Sequence, residues 1–168
     1  MLAISSAAPA AAESAGGLSW TAPKGWTAQQ RPMRAANYVV PAAGGDSEAG
    51  ECAVYYFGAG QGGGVDANIE RWISQFRAPD GGSAKSLAKR SEKTVHGLKV
   101  SMLDLTGTYL FKPFPMAPQA TPKPGYRMLA AIVPGPDAPI FFKLTAPKKT
   151  ADAAEAAFLA MIESIHKP

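Results

Sequence analysis

Two histidines, His96 and His166, and one cysteine, Cys52, are the whole imidazole and thiol inventory of a chain of 168 residues. They stand far apart, so they match no zinc-ligand spacing and place no base beside a nucleophile. Asp104, inside the apolar run LKVSMLDLTGTYL (98–110), is the carboxylate expected nearest a sheet. Together with His96 or Ser101 it could act as the general base of a hydrolase. Tied to a turn or to an arginine it would be structural, and a buried acid needs such hydrogen-bond partners in either case. The structural role is the expectation, because nothing in the spacing specifies a shared site. Cys52 is expected as a small buried hydrophobe, since no Lys or His beside it in sequence lowers its pKa. Neither an enzyme nor a cofactor is expected.

Three loops offer binding instead. GQGGG (60–64) precedes a helical pattern, where unpaired N–H groups and the helix dipole favour an anion, which makes Gly62, Gly63 and Gly64 candidate anion-binding residues. Against this, the loop lacks both phosphate-binding glycine motifs, and Asp66 would repel a phosphate, so a flexible strand-to-helix connection is the expected reading. FKPFPMAPQATPKPG (111–125) carries five prolines and is expected as a stiff extended loop. Its Phe111, Phe114 and Met116 form a docking surface for a protein partner if exposed, and a lid over the core if folded back. AAGGDSEAGE (42–51) holds too few oxygen ligands at the wrong spacing for a calcium loop and reads as a solvated hairpin end.

The elements that must position these residues follow from periodicity. Leu18–Ala22, Gly25–Gln30 and Met33–Val40 read as strands, with Trp20 and Trp26 as anchors at one end of a core. Cys52–Phe57 is apolar on both faces, Cys52, Val54 and Tyr56 on one and Tyr55 and Phe57 on the other, as a strand covered on both sides must be. Val65, Ile69, Trp72, Ile73 and Phe76 form a helical stripe, with Gly64 or Asp66 as N-cap. Ala88–His96 alternates charges as a protected edge strand does, turns at Gly97, and pairs with 98–110, where Gly107 marks a bulge. Tyr126–Val133 is nearly all apolar and reads as central; Pro139–Ala146 places Phe141, Lys143 and Thr145 on one face. Thr150 is expected to cap a last helix with the stripe Ala154, Phe158, Met161, Ile162 and Ile165, and His166 to sit in its final turn.

The length suits one domain, 18–168, preceded by an Ala-rich stretch, 1–17, expected as a disordered leader or the remnant of an export signal. A periplasmic or secreted location is the expectation. No run reaches the roughly 18 apolar residues that cross a bilayer. The 17 basic residues exceed the 13 acidic ones, giving a net charge of +4, but they are scattered, so nucleic acid is not implied.

Four segments carry a resemblance: W-x-A-P-x-x-W at Trp20–Trp26, N-I-E-R-W at Asn68–Trp72, L-D-L-T-G-T-Y at Leu103–Tyr109, and F-L-A-M-I-E-S-I at Phe158–Ile165. In this order of elements the chain resembles the PsbP-like superfamily, which includes the Mog-type proteins. The resemblance implies an α+β fold, an antiparallel sheet flanked by helices as an α/β/α sandwich, in proteins that mostly act as non-catalytic accessory or binding partners. It assigns no catalytic motif and no role to either loop.

Overall fold

The computed structural model describes residues 12–168. In chain order the elements are β1 (Ala12–Ala15), β2 (Leu18–Thr21), β3 (Thr27–Ala28), β4 (Ala36–Val40), β5 (Gly50–Tyr55), α1 (Val65–Ile73), β6 (Phe76–Arg77), β7 (Lys89–Val95), β8 (Leu98–Phe111), β9 (Thr121–Val133), β10 (Ile140–Pro147) and α2 (Lys148–Glu163). One antiparallel sheet of eight strands runs β3-β4-β5-β10-β9-β8, and both β6 and β7 pair with the free edge of β8, each along its own stretch. β1 and β2 form a separate hairpin.

Period-two alternation then divides the apolar residues between two cores. Leu129, Ala131, Phe142, Leu144, Cys52 and Val54 face α2, whose Phe158, Met161 and Ile162 cover them together with Leu18 and Trp20. Met128, Ala130, Ile132, Phe141, Leu103 and Leu105 face the opposite way, under Ile69, Trp72 and Ile73 of α1. Trp20 seals the first core as expected: it meets Phe142 edge-on at 5.2 Å, and its Nε1 donates to the Tyr38 hydroxyl at 3.0 Å. The expected α+β sandwich of helix, sheet and helix is the observed architecture.

Several boundaries differ from expectation. Of the stretch 1–17, residues 1–11 lie outside the described residues, whereas Ala12–Ala15 is a strand paired with β2, because the Gly16–Gly17 turn brings it alongside. Met33 is exposed with φ of 63°, so β4 starts only at Ala36. The third strand is reduced to Thr27–Ala28. α1 stops at Ile73, yet Phe76 still reaches the same core from β6. Thr121–Gly125 is strand rather than loop: β8 pairs with it on one side, and β10 begins to pair only at Tyr126. Pro122 and Pro124 are tolerated there because an edge does not require their missing donors. The bulge falls between Gly107 and Tyr109, where a Cβ on Gly107 would sit 2.7 Å from the Arg77 carbonyl oxygen.

Thr150 is not the cap of α2. Pro147 occupies that position without a side-chain cap, and Thr150 is a buried third residue of the helix. Its amide N–H and its hydroxyl both donate to the Asp46 carboxylate at 2.8 Å, so the acid that satisfies the helix start comes from the β4–β5 loop. Asp46→Ala should therefore cost about 1 kcal/mol, read as a lower urea midpoint at unchanged slope. His166 lies beyond α2 and exchanges backbone hydrogen bonds with Ser19 at 2.9 and 3.0 Å, which ties the C-terminal segment to β2.

Candidate functional site

Nine residues of α1 span only about 14 Å. The helix covers the middle of its sheet face and leaves one end open. That end is a cleft of about 310 Å³. Its floor is Ala53 of β5 with Lys143 and Thr145 of β10, and Lys143 lies directly opposite Ala53 in the register. Tyr109 and Phe111 from β8 and Tyr126 from β9 make one aromatic wall, and Tyr55 of β5 stands across from them. Tyr109 and Tyr126 stack at 5.7 Å, and Phe111 turns its ring against Tyr109 at 6.3 Å. The rim comes from loops, with Arg31 and Arg34 before β4, Glu48 and Glu51 around the start of β5, and Lys112 and Pro113 after β8.

Five basic side chains, Arg31, Arg34, Lys112, Lys123 and Lys143, thus meet two carboxylates. Both acids are already engaged. Glu51 pairs with Arg34, whose guanidinium also bonds Asn37 and lies 5.5 Å from the Tyr55 ring centre. Glu48 accepts from the Tyr126 hydroxyl and from Lys123, which hold its carboxyl below the usual range. Lys123 in turn sits 4.7 Å from the Phe111 ring centre. Lys143 has no carboxylate within ion-pair distance among the described residues; its ammonium donates to Gln75 Oε1 at 3.0 Å. Burial pushes it down to about 8, with repulsion from Arg34 and Arg71 adding and the Glu51 charge partly opposing. The result is an electropositive, aromatic-walled opening with a desolvated amine at its base.

Lys143 is the residue that sequence reasoning passed over. A signal existed: a lysine inside IFFKLTAP on the face shared with Phe141 must either reach an opening or carry a desolvation cost. Of the expected partner-binding residues, Phe111 lines the cleft, while Phe114 and Met116 stand on the adjoining loop at 55% and 88% exposure. They do not close over the core. Ala117 of the same loop is buried and anchors it.

At the glycine loop, the carbonyl oxygens of Gly62 and Gly64 both accept from Asn68 Nδ2 at 2.8 Å. Gly62, with φ of +102°, also packs so closely that a Cβ there would lie 2.9 Å from the Phe141 ring. Gly64 is the N-cap of α1, and Asp66 in the first turn pairs with Arg90. These contacts engage the carbonyl oxygens of Gly62 and Gly64 and the backbone of Gly62.

The hydrolase grouping does not assemble. Asp104 and Ser101 lie three residues apart on β8 and therefore project from opposite sheet faces. Asp104 is held by Arg127 in a two-pronged ion pair, as the structural reading expects, and the His96 ring bonds the Ile165 carbonyl at 2.8 Å. Cys52 is fully buried, and burial pushes its thiol up. Among the described residues no three His, Cys, Asp or Glu side chains group as metal ligands, and no helix is long and apolar enough to cross a membrane.

No protein-family model matches the chain, and no curated protein matches its sequence. Among solved structures it is similar to cyanobacterial PsbP (CyanoP) from Synechocystis sp. PCC 6803, at 13% identity and a TM-score of 0.54, covering 100% of this chain and 98% of that one. A Pseudomonas aeruginosa protein of unknown function aligns at 14% identity and a TM-score of 0.48, covering 94% of this chain and 96% of that one. At such identity the likeness speaks for architecture alone, and with the sheet order and the two flanking helices it establishes that this chain has the PsbP-like fold.

Proposed function

We propose that this is a non-enzymatic accessory protein that binds a protein partner through the loop 112–120, at the open end of the α1 face. The observation that carries the reading is the exposure of Phe114 and Met116 beside the basic rim of the cleft. Two large apolar side chains held in water on a proline-stiffened loop lose little conformational freedom on docking, which favours association. The scattered nucleophiles and bases support a binding role over a catalytic one. Export belongs to the same proposal and rests on the small-residue composition of 1–17.

The test compares wild type with a Phe114→Ser, Met116→Ser double variant in capture from extracts of the source cell. Because both side chains are exposed, the variant should unfold within about 0.5 kcal/mol of wild type. A partner held by wild type and lost by the variant is the expected outcome. The same partners on both forms would overturn the loop as the docking element.

A further inference from the structure

We propose that the cleft floored by Lys143 is a binding site for a small planar anion, an aromatic carboxylate, with its ring along the tyrosine wall and its acid group toward the lysine. This goes beyond the protein-docking reading and is independent of it, since neither Phe114 nor Met116 lines the cleft.

Three features define the ligand class. A volume of about 310 Å³ is at the small end for ligand sites and suits one ring with an acid group, not a dinucleotide. Tyr55, Tyr109 and Tyr126 line the opening, and because Tyr109 and Tyr126 stack on each other 5.7 Å apart they offer it ring edges, which suit a planar ring meeting them edge to face over a branched aliphatic group. The charge selects an anion: the two acids of the rim are already paired with Arg34 and with Lys123, which leaves Lys143 as an ammonium without a counter-charge at the base.

The charged and titratable groups packed around Lys143 fix the pH response. Arg34 and Arg71 repel the ammonium and Glu51 attracts it, while burial keeps Tyr55, Tyr109 and Tyr126 above their ordinary range and hence uncharged. Glu48 stays ionised. Of these groups, Lys143 is the one whose charge changes near pH 8. A bound carboxylate supplies the missing counter-charge, raises the lysine's proton affinity and takes up a proton when binding occurs near pH 8.

The experiment is calorimetric titration of the full chain with benzoate, 4-hydroxybenzoate and 4-hydroxycinnamate, with 4-hydroxybenzyl alcohol as the neutral analogue and acetate as the anion without a ring. Saturable binding is expected for at least one aromatic carboxylate, about tenfold or more tighter than for either control. Affinity should be level below pH 8 and fall above it as Lys143 loses its proton. Lys143→Met should weaken binding about tenfold, and Lys143→Arg should retain most of it while abolishing the decline above pH 8. No saturable binding by the three carboxylates at millimolar concentration overturns the proposal. So does equal binding of the alcohol, or unchanged affinity in a folded Lys143→Met protein. Loss of carboxylate binding in the Phe114→Ser, Met116→Ser protein would contradict the independence of the two sites.

Discussion

Replacing Arg127 by alanine should cost about 3 kcal/mol and lower the melting temperature by about 6–10 °C, although Arg127 lies outside the cleft and both helix cores. Arg127 is nearly buried at 9% exposure, and among the described residues its guanidinium is the one group joining β8, β9 and α2 electrostatically. Nε and Nη2 grip Asp104 at 2.9 and 2.8 Å, while Nη1 reaches Asp152 at 2.8 Å and Glu155 at 3.2 Å. Removing it leaves three carboxylates facing one another. Two paired hydrogen bonds to a charged partner are lost, and mutual repulsion is added. The acids are 34–43% exposed and can partly rehydrate, which keeps the cost at the lower end for a broken buried pair.

The double variant Arg127→Met, Asp104→Leu should recover part of that loss, because it also removes the acid that Arg127 grips with two hydrogen bonds, while Asp152 keeps Lys148 as its partner and Glu155 is left to solvent. Urea unfolding of the single and double variants decides the matter. A loss below about 1 kcal/mol would mean that Phe158, Met161 and Ile162 hold α2 without help. Acid should act in the same direction. Lys148, and after it Arg127, hold the Asp152 carboxyl below its ordinary value, so its contribution is present above that value and is lost as pH falls through the folded one.

These interactions mark where sequence reasoning succeeds and where it stops. Tyr126–Val133 reads as a central strand because, Arg127 apart, its residues are apolar at both parities, and β9 is indeed flanked by β8 and β10. The stripe of α2 and the glycine at the β8 bulge are legible for the same reason: each is a local pattern imposed by geometry. Asp104 needs a partner, and that too is readable, but the partner lies 23 residues away and is chosen by the β8–β9 register. The cap of α2 is more remote, since Asp46 stands 104 residues from Thr150. The strand character of Pro122 and Pro124 depends on where β10 stops pairing. The cleft belongs to this second kind of fact. Arg34, Tyr55, Tyr109, Tyr126 and Lys143 come from five separate segments, and only sheet order brings them around one opening.

Lys143→Met should make the protein more stable, by about 2 kcal/mol at pH 7, while removing the cation on which carboxylate binding is expected to depend. The sign follows from linkage. Folding lowers the lysine from its ordinary 10.5 to about 8, so the folded state binds the proton less tightly than the unfolded chain does. That penalty is complete below about 8 and disappears as pH rises toward 10.5. At about 1.4 kcal/mol per unit the shift sets an upper bound of about 3–4 kcal/mol, and the opening to solvent reduces it. Methionine fills nearly the same volume with an unbranched, uncharged chain, and Gln75 can turn its freed oxygen to water. The stability gap between variant and wild type should therefore be level up to pH 8 and close by pH 10.5, measured as melting temperatures across that range. A variant less stable than wild type, or a gap that ignores pH, would show that the ammonium is already satisfied where it lies. A gain in stability joined to a loss of binding gives the lysine its explanation: at the base of an opening, a charge that weakens the fold becomes favourable once a ligand brings its counter-charge.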